Sequence, residues 1–131
     1  MADPLSIIQS AYAAFGRGDI PGVLENFAED VEWILPDTAG VPIGGTHRGK
    51  AAVGNWFQKL GREMEFHVFE PREWIAQGDT VVVLIHSEAT VKSTGRRLVD
   101  DICHVHTVQN GKLVRFREFD DTLAAHEAFK K

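Results

Sequence analysis

The chain has 131 residues, of which 44% are hydrophobic and 25% charged. That is enough for one domain, spanning 1–131, with a real core, and it argues against disorder. The net charge of −5 and pI near 5.6 exclude a nucleic-acid surface, because the densest basic spot is only the window Gly95-Arg96-Arg97-Leu98-Val99. A single cysteine, Cys103, rules out an intrachain disulfide and fits a reducing compartment. The start "MADPLSII" has no basic run or long apolar stretch, and no run approaches the ~18 apolar residues of a membrane span. A cytoplasmic protein without nucleic-acid or membrane partners is expected.

The chain opens with Asp3 as an N-cap and Pro4 at the first helical position. Leu5, Ile8, Tyr12 and Phe15 follow at helical spacing until Gly16-Arg17-Gly18 stops the helix. Asp19 and Pro21 start a short second helix. "VEWIL", Val31 to Leu35, reads as a strand ended by Pro36. The segment from Pro36 to Gly49 is expected to be a loop ordered by turns, and a loop of that length often sits over a site. A third helix is expected over Lys50 to Leu60, burying Val53, Trp56, Phe57 and Leu60.

After Met64 the pattern is strand. Glu65 to Ala76 is interrupted by Pro71, which implies an edge position or a bulge. Strands over Thr80 to Lys92, Arg96 to Gln109 and Lys112 to Asp120 follow, the last pair joined by the hairpin signal Asn110-Gly111. A closing helix from Thr122 to Phe129 takes Asp121 as its cap. In "VRFREFDDT", alternation puts Phe116, Glu118 and Asp120 on one strand face. Helices first, then long antiparallel strands, give an α+β fold: a strongly curved, mainly antiparallel sheet with helices on its concave face.

Three stretches carry a resemblance: "GDIPGVLENFAEDVEWILP", "GGTHRGKAAVGNWF" and "NGKLVRFREFDDT". Together, in this order, they resemble the nuclear transport factor 2-like superfamily, nearest to ketosteroid isomerase and the SnoaL-like polyketide cyclases. The resemblance implies a cone-shaped barrel of the cystatin-like kind enclosing a mostly apolar pocket, with a convex face often used for dimerisation. It also implies which side chains point inward: Val31, Trp33 and Leu35; Leu84, His86 and Glu88; Val99, Asp101, Cys103 and Val105; Phe116, Glu118 and Asp120. Asp100, His104 and His106 should then face out. The catalytic positions of ketosteroid isomerase fall on Ala11 (beside Tyr12), Leu35 and Cys103, so that reaction is not expected.

Several carboxylates and a histidine in an apolar cavity suit general acid–base work, since burial and like charge raise carboxyl pKa values. The arrangement is similar in kind to limonene epoxide hydrolase. It implies Glu118 as base or water activator, Asp101 as partner acid oriented by Arg97, and His86 with Glu88 as a proton relay. Trp33, Leu35, Trp56, Leu84, Cys103, Phe116 and Asp120 are expected to line the substrate pocket. No cofactor is expected. "CHVHT" pairs His104 with His106 on one face, but two ligands without a third do not make a zinc site. The apolar row Val81, Val83, Ile85, Ala89 and Val91, placed outside by the same register, would need a second chain to cover it, which implies a homodimer. Two readings follow: a cofactor-independent isomerase, cyclase or epoxide-hydrolase-like enzyme on an apolar substrate, or a binding module for a hydrophobic molecule or a partner protein.

Overall fold

The computed structural model describes residues 3–131; Met1 and Ala2, part of the stretch read for a leader, lie outside them. Helix α1 (Pro4–Gly16) is capped by Asp3, whose Oδ1 accepts from the Ser6 backbone N–H at 2.8 Å. Asp19 caps α2 (Ile20–Leu24) in the same way, through the Gly22 N–H at 2.9 Å. Strand β1 (Phe27–Leu35) starts earlier than the sequence pattern indicates, because the buried Phe27 joins the ladder ahead of an irregularity before Glu32. The long segment after Pro36 is not all loop. Gly45–Arg48 forms a short edge strand, β2, antiparallel to β1, whose polar sequence carries no strand signal.

Helix α3 (Lys50–Glu63) extends a turn beyond Leu60 and buries Val53, Trp56, Phe57 and Leu60. Strands β3 (Met64–Gln77), β4 (Thr80–Val91), β5 (Arg97–Gln109) and β6 (Lys112–Phe119) complete one sheet of order β2-β1-β6-β5-β4-β3. All neighbours are antiparallel except β1 and β6. β3 is the other edge strand, and its register shifts between Pro71 and Glu73, so Pro71 has both features expected of it. Asn110 and Gly111 turn with φ of 53° and 77°, as a two-residue hairpin between right-twisted strands requires. Helix α4 (Thr122–Phe129) is capped by Asp121, whose Oδ1 accepts from the Ala124 N–H at 3.0 Å.

The sheet is curved and bulged, and α1, α3 and α4 pack on its inner face. The facing of β4 and β5 corrects the register read from the resemblance. Val81, Val83, Ile85, Ala89 and Val91 are buried in the core rather than forming an outer row. Leu84, His86 and Glu88 lie on the outer face, as do Val99, Asp101, Cys103 and Val105.

The cause is one residue. Gln109 pairs with Lys112 and Val108 with Leu113, but Thr107 pairs with Arg115, so Val114 is a bulge without a partner. Counting back from the hairpin without the bulge sets Glu118 opposite Cys103. With it, Glu118 stands opposite His104 and Phe116 opposite His106. A one-residue slip reverses every side chain of a strand.

The facing has a direct test in urea unfolding. Ile85→Ala, at a position 2% exposed, is expected to cost about 2–5 kcal/mol. His86→Ala, next to it on the outer face, gives up only its bonds to Asp101 and Glu88 and is expected to shift the midpoint far less. The opposite order would reverse the strand.

Candidate active site

The inner face of the sheet and helices α1, α3 and α4 enclose a cavity of about 130 Å³. Its walls are mostly apolar and rich in aromatic rings. Trp33 stacks on Phe116 with ring centroids 3.6 Å apart, and Trp56 and Phe57 pack against Trp33 from α3. Leu35 closes the same wall, and Pro36, Thr38, Val41, Ile43 and Gly44 contribute from the segment after β1. That segment is pinned twice: the Trp56 Nε1–H donates to Ile43 O at 2.9 Å, and His126 Nδ1 lies 2.7 Å from Ala39 O.

Polar groups enter this apolar space from α1, from β5 and from the end of β6. Tyr12 sits on the buried stripe of α1, with Trp74 packed edge-on to its ring at 5.2 Å. Its hydroxyl lies 2.5 Å from His104 Nδ1 and 2.8 Å from His106 Nε2. On its other side, His104 Nε2 is 2.8 Å from Glu118 Oε1. Four side chains from three elements thus form one continuous chain, Glu118–His104–Tyr12–His106. Asp120 and Asp100 border its carboxyl end, and Ser87 also lines the cavity.

Glu118, Asp120, Trp33, Leu35, Trp56 and Phe116 therefore line the cavity as expected. Asp101, His86, Glu88, Leu84 and Cys103 do not. His86 Nδ1 lies 2.8 Å from Asp101 and its Nε2 2.9 Å from Glu88, which also receives Arg97 at 3.0 Å; this is an outer-face network. Arg97 therefore orients Glu88 rather than Asp101. In their place stand Tyr12, Asp100, His104 and His106. Only two signals pointed to them: the shared face of the "CHVHT" histidines, and a tyrosine in the middle of the apolar stripe of α1.

Burial dominates the electrostatics. It pushes Glu118 up to about 7 from an ordinary 4.5, only partly offset by a hydrogen bond with Asp120. Asp120 is raised to about 7, by burial first and then by sharing a proton with Glu118 and facing its charge. Asp100 rises to about 6 through burial, against a hydrogen bond from the Asp121 N–H at 3.1 Å. The same desolvation works in reverse on the imidazoles: His104 drops to about 3 and His106 falls well below its usual 6.5. Tyr12 is raised well above 10, by burial and then by the Glu118 charge. At neutral pH both histidines are thus uncharged, and the His104–Glu118 contact is a hydrogen bond, not an ion pair. A carboxyl that titrates near 7 can both accept and donate a proton at the working pH, the condition for efficient acid–base catalysis.

Residues 8–116 match the model of the SnoaL-like domain family. No curated protein matches the chain. Among solved structures, an NTF2-like protein of Burkholderia xenovorans LB400 is 41% identical, with 97% of this chain and 95% of that one covered and a TM-score of 0.89. An NTF2-like protein of Burkholderia thailandensis E264 is 31% identical over the full length of both chains, with a TM-score of 0.91. TerC, co-crystallised with polyporic acid, is 32% identical over 99% of this chain and 100% of its own, with a TM-score of 0.85. Among the described residues no helix is long and apolar enough to cross a membrane.

The raised carboxyls set the pH dependence of stability. Protons held by the folded protein but released by the unfolded chain stabilise it below the unfolded values of 3.8–4.5, and that contribution is lost as pH rises through about 7. The buried histidines act in the opposite sense, but only below 6.5. From about pH 6.5 to 8 stability is therefore expected to fall, and Glu118→Gln to remove a large part of the slope. His86, whose pKa is raised by Asp101 and then Glu88, pulls the same way on the outer face, so His86→Asn is the control that keeps the Glu118 contribution. Urea unfolding at the two pH values reads the difference.

Proposed function

This chain belongs to the SnoaL-like domain family of the nuclear transport factor 2-like superfamily, and on that premise we propose that it is a cofactor-independent acid–base enzyme. Its substrate in this reading is a flat, mainly apolar molecule bearing oxygen, held between the aromatic wall and the polar chain. The observation that carries the reading is Glu118: a carboxyl with a pKa near 7, hydrogen-bonded into a buried His–Tyr pair inside an apolar cavity. Such groups in clefts are functional-site markers. Glu118 is the general base and acid, with Asp120 beside it as the group that shares its proton. Isomerisation or ring closure through an enolic intermediate uses those two roles and no cofactor.

Unpartnered atoms in the wall indicate the ligand's polarity. Trp33 Nε1 and His106 Nδ1 are buried without a hydrogen-bond partner, and both residues line the cavity. An indole N–H can only donate, so its complement is an acceptor such as a carbonyl or phenolic oxygen. Size limits the ligand as well. An engineered apolar cavity of ~150 Å³ holds benzene, so about 130 Å³ takes a single ring. A larger ligand requires the Pro36–Gly44 segment to shift at its two pins.

A second reading, a binding module, is favoured by one residue. Leu35 is apolar and lines the cavity where the resemblance to ketosteroid isomerase places its base. One pair of measurements separates the two. Binding is read by quenching of tryptophan fluorescence with acetophenone, a single-ring ketone. Proton abstraction is read by NMR as hydrogen–deuterium exchange at the α-carbon of single-ring aryl ketones such as acetophenone and 4-hydroxyacetophenone. The enzyme reading expects catalysed exchange that falls ~10²–10⁴-fold in Glu118→Gln, with the fold kept. Binding without exchange in the wild type gives the protein to the second reading.

The proposal extends to the setting of the protein: a cytoplasmic homodimer joined through the outer sheet face. The row that first implied a dimer lies inside, but the outer face has its own. Phe119, Cys103 and Leu84 align across β6, β5 and β4, and Val105, Val82 and Ile75 align beside them across β5, β4 and β3. Ile75 and Phe119 are 56% and 46% exposed, more than side chains of that size favour. Light scattering at micromolar concentration is expected to give twice the monomer mass. A monomer would discard the dimer and leave the cavity chemistry untouched.

A further inference from the structure

We infer that Glu118, His104, Tyr12 and His106 form a proton wire whose far end, Nδ1 of His106, is a second acid–base site for an enolisable carbonyl substrate. The inference rests on the enzyme reading for its substrate, and on hydrogen-bond geometry for the wire itself. A proton accepted at the carboxyl end is matched by a proton delivered from the imidazole end, without solvent.

A neutral imidazole carries one N–H and one bare nitrogen, and a phenol carries one O–H. The hydroxyl of Tyr12 stands between two imidazole nitrogens, 2.5 Å from one and 2.8 Å from the other, so it donates to one and accepts from the other. His104 is in the same position between Tyr12 and Glu118 Oε1. With the carboxyl proton carried on Oε1, the oxygen that faces His104, or absent, only two arrangements leave no link with two hydrogens or two lone pairs face to face. In the first, Glu118 is ionised: His104 donates from Nε2 to Glu118, Tyr12 donates to His104, and His106 donates from Nε2 to Tyr12, leaving Nδ1 of His106 bare. In the second, Glu118 is protonated and donates to His104, every link is reversed, and Nδ1 of His106 carries a hydrogen. Any mixed arrangement leaves an unsatisfied buried pair, and in a dry site that costs its full desolvation. A proton on Oε1 of Glu118 thus selects the tautomer of His106, three side chains away.

Catalysis follows with protons and electrons balanced. The wire starts in its second arrangement, with Glu118 protonated on Oε1 and Asp120 ionised beside it. The carboxyl end takes a proton from the substrate's α-carbon at that ionised group. The C–H electron pair becomes the enol double bond, and the carbonyl π pair moves to oxygen. That oxygen takes the proton from Nδ1 of His106. His106 Nε2 is refilled from the Tyr12 hydroxyl, the hydroxyl from His104 Nδ1, and His104 Nε2 from Oε1 of Glu118. The carboxyl end finishes with the number of protons it began with, and one proton has moved from carbon to oxygen. Run backwards with reprotonation at a different carbon, the sequence restores the wire and yields an isomer.

The surroundings keep the wire isolated. The titratable groups that act on it are Asp120 after β6, Asp100 on β5, Cys103 on the same strand and its own four members. Helices α3 and α4 present Trp56, Phe57, Ala125 and Phe129; β1 presents Trp33, β3 Phe66 and Phe69, and β4 Ser87, none of them charged.

The test uses the unliganded protein, so it stands apart from the search for a substrate. Ring nitrogens of ¹⁵N-labelled histidine are followed by long-range ¹H–¹⁵N NMR while the side-chain carboxyl of Glu118 is followed by ¹³C, with His106 assigned from His106→Asn. His106 is expected to remain neutral yet change tautomer, from Nε2–H at high pH to Nδ1–H at low pH, at the same midpoint as Glu118. In Tyr12→Phe, His104 is expected to follow Glu118 still, while His106 no longer does. A His106 tautomer that stays fixed through the Glu118 titration in the wild type overturns the wire whatever the variant does, and so does coupling that survives in Tyr12→Phe. Failure of the ketone exchange assay with the tautomer switch intact would sink the substrate and keep the wire.

Discussion

Val114 has no partner on β5, and the site depends on that irregularity. Leu113 and Phe116 are both buried although they are an odd number of residues apart, which a regular strand cannot achieve. The bulge therefore lets the hairpin end of β6 fill the core while its far end turns Phe116 and Glu118 onto the same inner face. Opposite them, β5 presents His106 and His104. Had the ladder run regularly from the hairpin, Glu118 would face Cys103 on the outer side, and the imidazoles, still inside with Tyr12, would lose their carboxyl partner. Bulges are concentrated next to active sites because they re-aim side chains without disturbing the rest of a sheet.

Once aimed, these groups are controlled by desolvation. The aromatic wall withdraws water equally from acids and imidazoles, but the consequences are opposite in sign. Glu118 and Asp120 rise into the neutral range while His104 and His106 are held uncharged. A charged imidazole would have two hydrogens, and a chain containing one has a fixed direction. Neutral imidazoles leave it reversible. The stacking of Trp33 on Phe116, with His104 edge-on to Phe116 at 4.6 Å, thus both packs the core and sets the protonation chemistry.

Much of the architecture was legible in local chemistry. Asp3, Asp19 and Asp121 announced helix starts through their side-chain acceptors, Asn110-Gly111 announced a hairpin, and Pro71 announced an edge strand with a register shift. Half of the site was legible too, since Glu118, Asp120, Phe116, Trp33, Leu35 and Trp56 were placed inside. β4 and β5 were reversed because a distant resemblance transfers topology more safely than parity, and one bulge changes parity. The strand's own pattern held the opposing evidence. Val81, Val83, Ile85, Ala89 and Val91 alternate with His86 and Glu88, and burial favours the aliphatic row by roughly 1.5–3 kcal/mol per large side chain. No local signal marks Val114 as the unpaired residue, since valine suits a regular strand.

The departures from ketosteroid isomerase acquire a physical sense in this light. There an acid and a base stand on separate strands; here the first-strand position is Leu35, part of the apolar wall. The titrating carboxyl has moved to the last strand, where β5 backs it with His104 and α1 reaches it through Tyr12. A base on the first strand would need a separate donor on the other side of the ligand. A carboxyl tied to a reversible hydrogen-bonded chain carries its donor with it, because each proton gained at one end orients the other end to give one. The fold fixes the cavity, and the face presented by β5 fixes which chemistry can be performed inside it.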